Sequence, residues 1–357
     1  MATTQCTIPD NCKALRPVDK QAVARTHAML SWLKSSPLVE IREHVDVTKE
    51  PRISVHNENG RLRKVVVLPP PYLDWDCACP INEKEKANAK KGIMPDRFKA
   101  TQEWGAFVAN LIAQDVKVVI LQPKPHLLEA TYTRDPAFVV DSKLFIGSMH
   151  ADVRKPETGL YVNGGISAPQ GHNITIEGGN VVLGKDCVFV GVGDRTTLEG
   201  ALWLQNWLGT SRQVIPLKLK QGVLHLDCVF GPHDSHNKHP GRLILDKKAF
   251  VGNGGFSALD MRNIQYQAGY TLPSLKGLEE ATKRYAKVTN LKHSERNKLV
   301  PNMVMVRPNL AIANFLPDRV KSVLDSFMKV IVLPFGELAL GDGSYRCATM
   351  PLVREKP

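Results

Sequence analysis

The chain has 357 residues, 43% hydrophobic and 23% charged, with 24 Pro and 26 Gly. That composition builds a sizeable core in one large or two small domains and excludes a disordered, collagenous or coiled-coil protein. The net charge is +12, from 47 Lys+Arg against 35 Asp+Glu.

The basic residues are dispersed, with one loose cluster at 83–99 (EKEKANAKKGIMPDRFK). They form no aromatic-interleaved stripe, so they read as a solvated surface and no nucleic-acid partner is expected. No apolar run approaches the roughly 18 residues of a membrane span. The opening residues, MATTQCTIPDNCKALRP, hold no apolar leader. A soluble cytoplasmic protein with no membrane partner is therefore expected. Seven Cys is odd and sparse for this length, which points to reduced thiols rather than a disulfide scaffold.

In chain order, residues 1–50 read as an irregular N-terminal extension with one helix at 19–35, where Val23, Thr26, Leu30 and Leu33 recur at helical spacing before Pro37. Residues 51–357 read as a single domain. Its first strand is 62–68 (LRKVVVL), ended by three prolines. Trp104, Val108, Leu111 and Ile112 line a helix, and the strand 116–121 (VKVVIL) follows. Hairpins are predicted at 137–147 around a DSK turn and at 180–190 around Gly184-Lys185-Asp186. Thr196 and Glu199 suggest a capping box for a helix that ends at Gly209. Strands near 213–217, 223–230 and 243–245 come next, then a helix near 275–287, a strand at 303–306, a helix at 318–328, and strands at 330–333 and 348–352. Strands alternate with single helices, which means α/β.

Four polar clusters fall at strand ends or in the following turns: Thr133-Arg134-Asp135-Pro136, Glu177-Gly178-Gly179-Asn180, His225-Leu226-Asp227 and Arg346-Cys347. Polar groups in such places often form sites. On a strand, His225 and Asp227 would share one face and the leucines the other. Each cluster alone has a bland explanation as a turn, a loop, a structural histidine or a buried thiol.

Together they carry a resemblance. Residues 55–65 (VHNENGRLRKV), 132–136 (YTRDP), 176–180 (IEGGN), 193–197 (GDRTT), 225–230 (HLDCVF) and 346–355 (RCATMPLVRE) resemble, in order, the motifs of arginine deiminase. That family lies in the guanidino-group-modifying superfamily, with dimethylargininases, agmatine deiminases and amidinotransferases. The resemblance implies a five-bladed α/β-propeller, the pentein fold of ββαβ modules, with the active site at its centre. The chain departs from the family in four places. Asn180 replaces the usual Asp, Glu129 stands near a position that often holds Asn, the helical insertion before the TRDP-like strand is missing, and residues 1–50 match nothing in the family.

A guanidinium is planar and cationic. Attack on its carbon needs carboxylates that accept paired N–H bonds and a soft nucleophile. The resemblance implies Asp135 and Asp227 as the clamps, with Glu177 assisting them while orienting His225. It implies Cys347 as nucleophile and His225 as acid and then base. Tyr132 would lie against the cation, Arg195 would take the substrate carboxylate, and Asn180 would belong to the substrate-binding set. The partner expected is a small guanidino substrate, arginine, and no metal or cofactor is required; homo-oligomerisation is left open.

Hydrolysis of free arginine to citrulline and ammonia is the leading expectation. Dimethylargininase, amidinotransferase and arginine dihydrolase are the enzyme alternatives, and a degenerate arginine-binding protein is the non-enzyme one. Asp227 favours an unmethylated guanidinium, and Arg195 favours a free amino acid over agmatine. Elsewhere, His233, His236 and His239 have HxxHxxH spacing, but their polar surroundings say turn. Cys77 and Cys79 are too close for a CxxC motif, and the glycines at 191–193 and 252–255 are not phosphate loops.

Overall fold

The computed structural model describes residues 16–75, 81–169, 174–234, 241–256 and 276–356. His236 and His239 of the HxxHxxH run, and Cys77 and Cys79, lie outside the described residues. No helix among those described is long and apolar enough to cross a membrane.

The strands are β1 (Val39–Arg42), β2 (Val45–Asp46), β3 (Leu62–Val67), β4 (Lys117–Leu121), β5 (Ala137–Val140), β6 (Lys143–Ile146), β7 (Tyr161–Val162), β8 (Ile166–Ser167) and β9 (Val181–Leu183). They continue as β10 (Cys187–Val192), β11 (Gln213–Lys218), β12 (Phe230–His233), β13 (Arg242–Leu245), β14 (Lys287–Asn290), β15 (Val304–Arg307), β16 (Leu310–Ala313), β17 (Lys329–Val332) and β18 (Met350–Arg354). One wiring recurs in five sheets. A first strand pairs antiparallel with a second, and the second pairs parallel with a third: β5-β6-β8, β9-β10-β11, β12-β13-β14, β15-β16-β17 and β18-β3-β4. In the fifth, the strand near the C-terminus precedes the strand that follows the extension. Among the described residues these sheets are separate; they do not merge into one closed barrel. The fold is mixed α/β, as expected.

Each parallel pair needs a crossover. Helix α3 (Arg97–Ala113) supplies it between β3 and β4, starting where the Asp96 carboxylate accepts the Lys99 N–H at 3.0 Å. It buries Trp104, Phe107, Val108 and Leu111 against β3 and β4, whose near-continuous Val/Ile runs suit a sheet covered on both faces. Helix α4 (Leu198–Leu208) joins β10 to β11 and stops at Gly209, whose φ of +56° is open to glycine. Between β6 and β8 the crossover is the 3₁₀ segment Asp152–Leu160, with Pro156 inside it. The N-terminal helix α1 (Lys20–Leu33) is capped by Asp19 and buries Leu30 and Leu33 in the same cluster as α3, and β1 extends that sheet by pairing parallel with β4.

Several sequence expectations shift. The strand predicted over 223–230 is a 3₁₀ turn, Leu226–Cys228, followed by β12. His225 and Asp227 therefore meet through a turn and not through strand alternation. Thr197 caps α4, not Thr196, because the Thr196 hydroxyl accepts the Glu177 N–H at 3.1 Å. The helix expected near 275–287 shortens to Leu278–Lys283 and yields to β14. The charged stretch at 83–99 contains a helix, α2 (Glu83–Lys90), capped by Asn82. β1 and β16 had no clear signal.

Candidate active site

The residues just before the first strand of each sheet converge. Asp135 precedes β5, Glu177 precedes β9, His225 and Asp227 precede β12, Asn302 precedes β15, and Cys347 precedes β18. All six are buried, at 2% exposure or less. Backbone bonds tie the segments together: Arg134 donates its N–H to the Cys347 carbonyl at 3.0 Å, and Gly178 to the Asp135 carbonyl at 2.8 Å. The two glycines after Glu177 are required by this crowding. A Cβ on Gly178 would stand 2.1 Å from the Arg134 carbonyl oxygen, and one on Gly179 would stand 2.6 Å from His225 Nδ1 and 2.7 Å from Asp135 Oδ1.

His225 Nε2 lies 2.7 Å from Glu177 Oε2, and its Nδ1 lies 3.5 Å from Asp135 Oδ1. Burial opposes a charged imidazole, yet Asp135, Cys347 and Glu177 together hold the His225 pKa well above its ordinary value. The Glu177 carboxylate is fully engaged. It also accepts the His150 N–H at 2.9 Å and lies 3.5 Å from Arg195 Nη1. Burial works against its ionisation, but Arg195 and His225 keep it far below the usual carboxylate range.

Cys347 Sγ accepts a hydrogen bond from Asn302 Nδ2 at 3.0 Å, while Asn302 Oδ1 accepts the Cys347 N–H at 3.2 Å. A hydrogen bond from Cys228 lowers the Cys347 pKa; burial and the Asp227 charge oppose it, and His225 helps. The Cys228 thiol, the donor in that bond, is pushed well above its ordinary value. Cys347 thiolate and His225 imidazolium are thus the favoured pair.

Asp135 has one oxygen engaged by the protein, whereas both Asp227 oxygens have protein partners, Arg346 at Oδ2 and the Cys228 thiol at Oδ1, 3.5 Å away. Asp135 Oδ2 accepts Arg154 Nη1 at 2.6 Å, and its Oδ1 is buried without a hydrogen-bond partner. Asp227 Oδ2 accepts Arg346 Nη1 at 2.6 Å and lies 3.6 Å from Cys347 Sγ. A narrow pocket opens onto Asp135, His225 and Cys347, with Tyr132, Glu129, Arg154 and Ile81 also in its lining; Asp227 and Glu177 are not part of that lining. Tyr132 donates its hydroxyl proton to the Leu338 carbonyl at 2.6 Å, and its ring centroid lies 6.0 Å from the Arg154 guanidinium carbon. Arg195 is buried, donates to the Ile81 carbonyl and is not part of the pocket lining. Asn180 stands apart from the cavity lining. Its Oδ1 accepts the Leu226 N–H at 2.8 Å and its Nδ2 donates to Thr196 Oγ1 at 3.0 Å, which ties the His225 turn to the Glu177 segment.

Sequence reasoning named Asp135, Glu177, His225, Asp227 and Cys347, and these five come together. It missed Asn302 and Arg154. Pro301-Asn302-Met303 stands at the same register before an apolar strand as the other entry segments, and that shared register is the signal that would have found Asn302. His225, Asp227 and Cys347 also place ligand-type atoms within 4.8 Å of one another, a grouping that could hold a metal ion. A metal ion there would compete with the proton that Asp135, Cys347 and Glu177 favour on His225.

A family model for arginine deiminase matches residues 83–354, more than half of the chain. An uncharacterised protein of Bacillus subtilis, YkgA, is 27% identical over 307 residues, covering 83% of this chain and 94% of that protein. The arginine deiminase of Rhodococcus opacus is 28% identical over 262 residues, covering 66% of this chain and 62% of that enzyme. Among solved structures, AgrE with ornithine and NAD+ aligns with a TM-score of 0.65 at 19% identity, over 82% of this chain and 40% of that one. A dimethylarginine dimethylaminohydrolase aligns at 0.58 and 16% identity, over 81% of this chain and 99% of that one. The structural likenesses bear on fold alone and agree with the mixed α/β fold. On the family match, the chain belongs to the arginine deiminase family.

Proposed function

We propose that the protein is a cysteine-dependent hydrolase that converts free arginine to citrulline and ammonia. The observation that carries this reading is the convergence of buried Cys347, His225 and Asp135 on one pocket, where Asp135 Oδ1 accepts no hydrogen bond and lies 3.5 Å from His225 Nδ1. Asp135 and Asp227 accept N–H bonds from the substrate guanidinium, whose charge offsets the repulsion between Asp227 and the thiolate. The Cys347 sulfur forms a bond to the guanidinium carbon. As the C–N bond to the terminal nitrogen breaks, His225 gives that nitrogen its proton and ammonia leaves. Neutral His225 then takes a proton from water as the water oxygen attacks the S-alkylthiouronium. The C–S bond breaks, the added hydroxyl gives its proton to solvent as the carbonyl forms, citrulline departs, and the thiolate and imidazolium are restored. Glu177 orients His225 throughout, and Arg195 takes the substrate carboxylate.

The same reading takes the five repeated sheets as the blades of a propeller around this site, within one catalytic domain over 51–357. The test is to incubate the protein separately with arginine, asymmetric dimethylarginine, agmatine and guanidinoacetate and to identify products by mass. Citrulline from arginine is expected, with little turnover of the others. Ornithine would move the protein to the dihydrolase branch. Cys347→Ser should abolish turnover and keep the fold by circular dichroism; an active variant would remove the whole constellation.

A further inference from the structure

A second cavity shares no lining residue with the pocket at Cys347. Its polar wall is Glu58, His233, Arg346 and Arg354, and Met303 and Met305 stand on its apolar side. Its free volume is about 20 Å³, room for one water-sized particle and too little for a polyatomic ligand.

Two of the wall residues carry buried nitrogens that no described protein atom takes up. Arg354 is 1% exposed, and its Nη1 donates to the Gly60 and Met305 carbonyls at 2.8 and 2.7 Å, but its Nε has no hydrogen-bond partner. His233 is 5% exposed, and neither of its ring nitrogens has one. Burial and then Arg242 push the His233 pKa down to about 4, so at neutral pH the ring is uncharged and offers one N–H. Glu58 cannot take up these donors. Its Oε1 accepts Arg346 Nη2 at 2.7 Å and the Leu183 N–H at 3.2 Å, and its Oε2 accepts Arg346 Nε at 3.3 Å. Buried donors left over in this way point to an ion or an ordered water beside them.

Charge decides between the two. Arg134, Arg346 and Arg354 crowd together, and Glu58 and Asp227 are the carboxylates that offset them, which leaves one positive charge over. The charges next out cancel in pairs, the His225 imidazolium with the Cys347 thiolate and Arg242 with an ionised Asp234. A buried excess of one positive charge is costly unless an anion accompanies it. The size of the cavity restricts that anion to a single atom, and the methionine sulfurs suit a polarisable one.

We infer that this cavity is a halide site, in which one chloride ion accepts hydrogen bonds from Arg354 and His233 and neutralises the excess charge of the arginine cluster. The inference does not depend on the reaction catalysed at Cys347.

Crystals of the wild-type protein grown in sodium bromide give the first test. An anomalous bromine peak beside Arg354 and His233 is expected. Water alone in the cavity, or bromide on the outer surface alone, would overturn the inference. Thermal unfolding gives the second. Chloride and bromide should raise Tm saturably, by about 1–3 °C over gluconate at equal ionic strength. His233→Phe replaces the donor by an apolar ring of similar size and should remove that halide-specific rise. An equal, unsaturating response to all three anions, or an undiminished halide response in a folded His233→Phe protein, would also overturn it. The bromide measurement uses the unaltered chain, so it decides the matter even if the variant does not fold.

Discussion

Cys347 and Cys228 lie against the same carboxylate, Asp227, and their coupling lowers the Cys347 pKa while it raises that of Cys228. The two thiols differ in what surrounds them. Cys347 faces Asn302 Nδ2 and the His225 imidazolium, while Cys228 faces Asp227 and the Asp342 carbonyl, both acceptors. Removing the donor should therefore make the nucleophile less acidic. In Cys228→Ala, alkylation of Cys347 by iodoacetamide at mildly acidic pH should slow by roughly two- to tenfold, as expected for loss of one hydrogen bond to a charged sulfur. The acid limb of the kcat/KM profile should move upward with it. The alkaline limb has a different origin. It reports loss of the His225 proton and lies above the ordinary imidazole range, because the His225 pKa is raised. An alkylation profile that does not move would show that the Cys228 thiol does not support the thiolate.

At the scale of elements, one rule builds the site: the segment entering the first strand of each sheet delivers its polar side chain to a shared centre. Four of these segments were legible because they carry titratable residues in short motifs, TRDP, EGGN, HLDC and RC. The fifth carries only Asn302, and an amide in a loop has no signature of its own. Arg154 was hidden for another reason: it lies in a 3₁₀ crossover with no helical periodicity to locate it. The strand predicted across 223–230 failed because a turn can also bring alternate residues to one side. Asn302 grips Cys347 at both its N–H and its sulfur, so it acts as a positioning residue. Asn302→Ala should lower kcat about 10–100-fold, with KM changing much less, and should slow Cys347 alkylation in step. A variant that loses stability and KM together while retaining kcat would show a merely structural role.

Across the whole molecule, the sheets are held by a buried ionic hub. Arg346 binds Glu58 at 2.7 Å, Asp227 at 2.6 Å and the Val181 carbonyl at 2.9 Å, which joins segments from three sheets. Two more buried guanidiniums, Arg134 and Arg354, crowd the same Glu58. Burial and neighbouring arginines lower their pKa values to about 10 and about 9. Burial opposes the Glu58 charge, but Arg346 and Arg134 outweigh it and depress its pKa to about 2. A depressed carboxyl pKa contributes stability that is fully present above the unfolded value of about 4.3 and is lost as pH falls towards about 2. Glu58→Gln should cost about 3–5 kcal/mol at neutral pH by leaving buried guanidiniums uncompensated. It should also flatten the fall in stability over that acid window, as read from urea denaturation at a series of pH values. An unchanged acid limb would remove Glu58 from the hub. None of this was legible beforehand. The sequence shows Arg346 beside Cys347, but Glu58 lies 288 positions away and nothing local links them.

The pairing of β18 with β3 has a consequence in time. The strand Leu62–Val67 is synthesised well before its antiparallel neighbour, Met350–Arg354. At about 5–20 residues per second the early strand waits roughly 15–60 s for its partner. Throughout that interval its Val-rich edge is open to misassociation on the ribosome, and Cys347, three residues ahead of β18, has not yet been made. The Cys347 segment therefore takes its place beside Asp135 and His225 only once β18 has found β3.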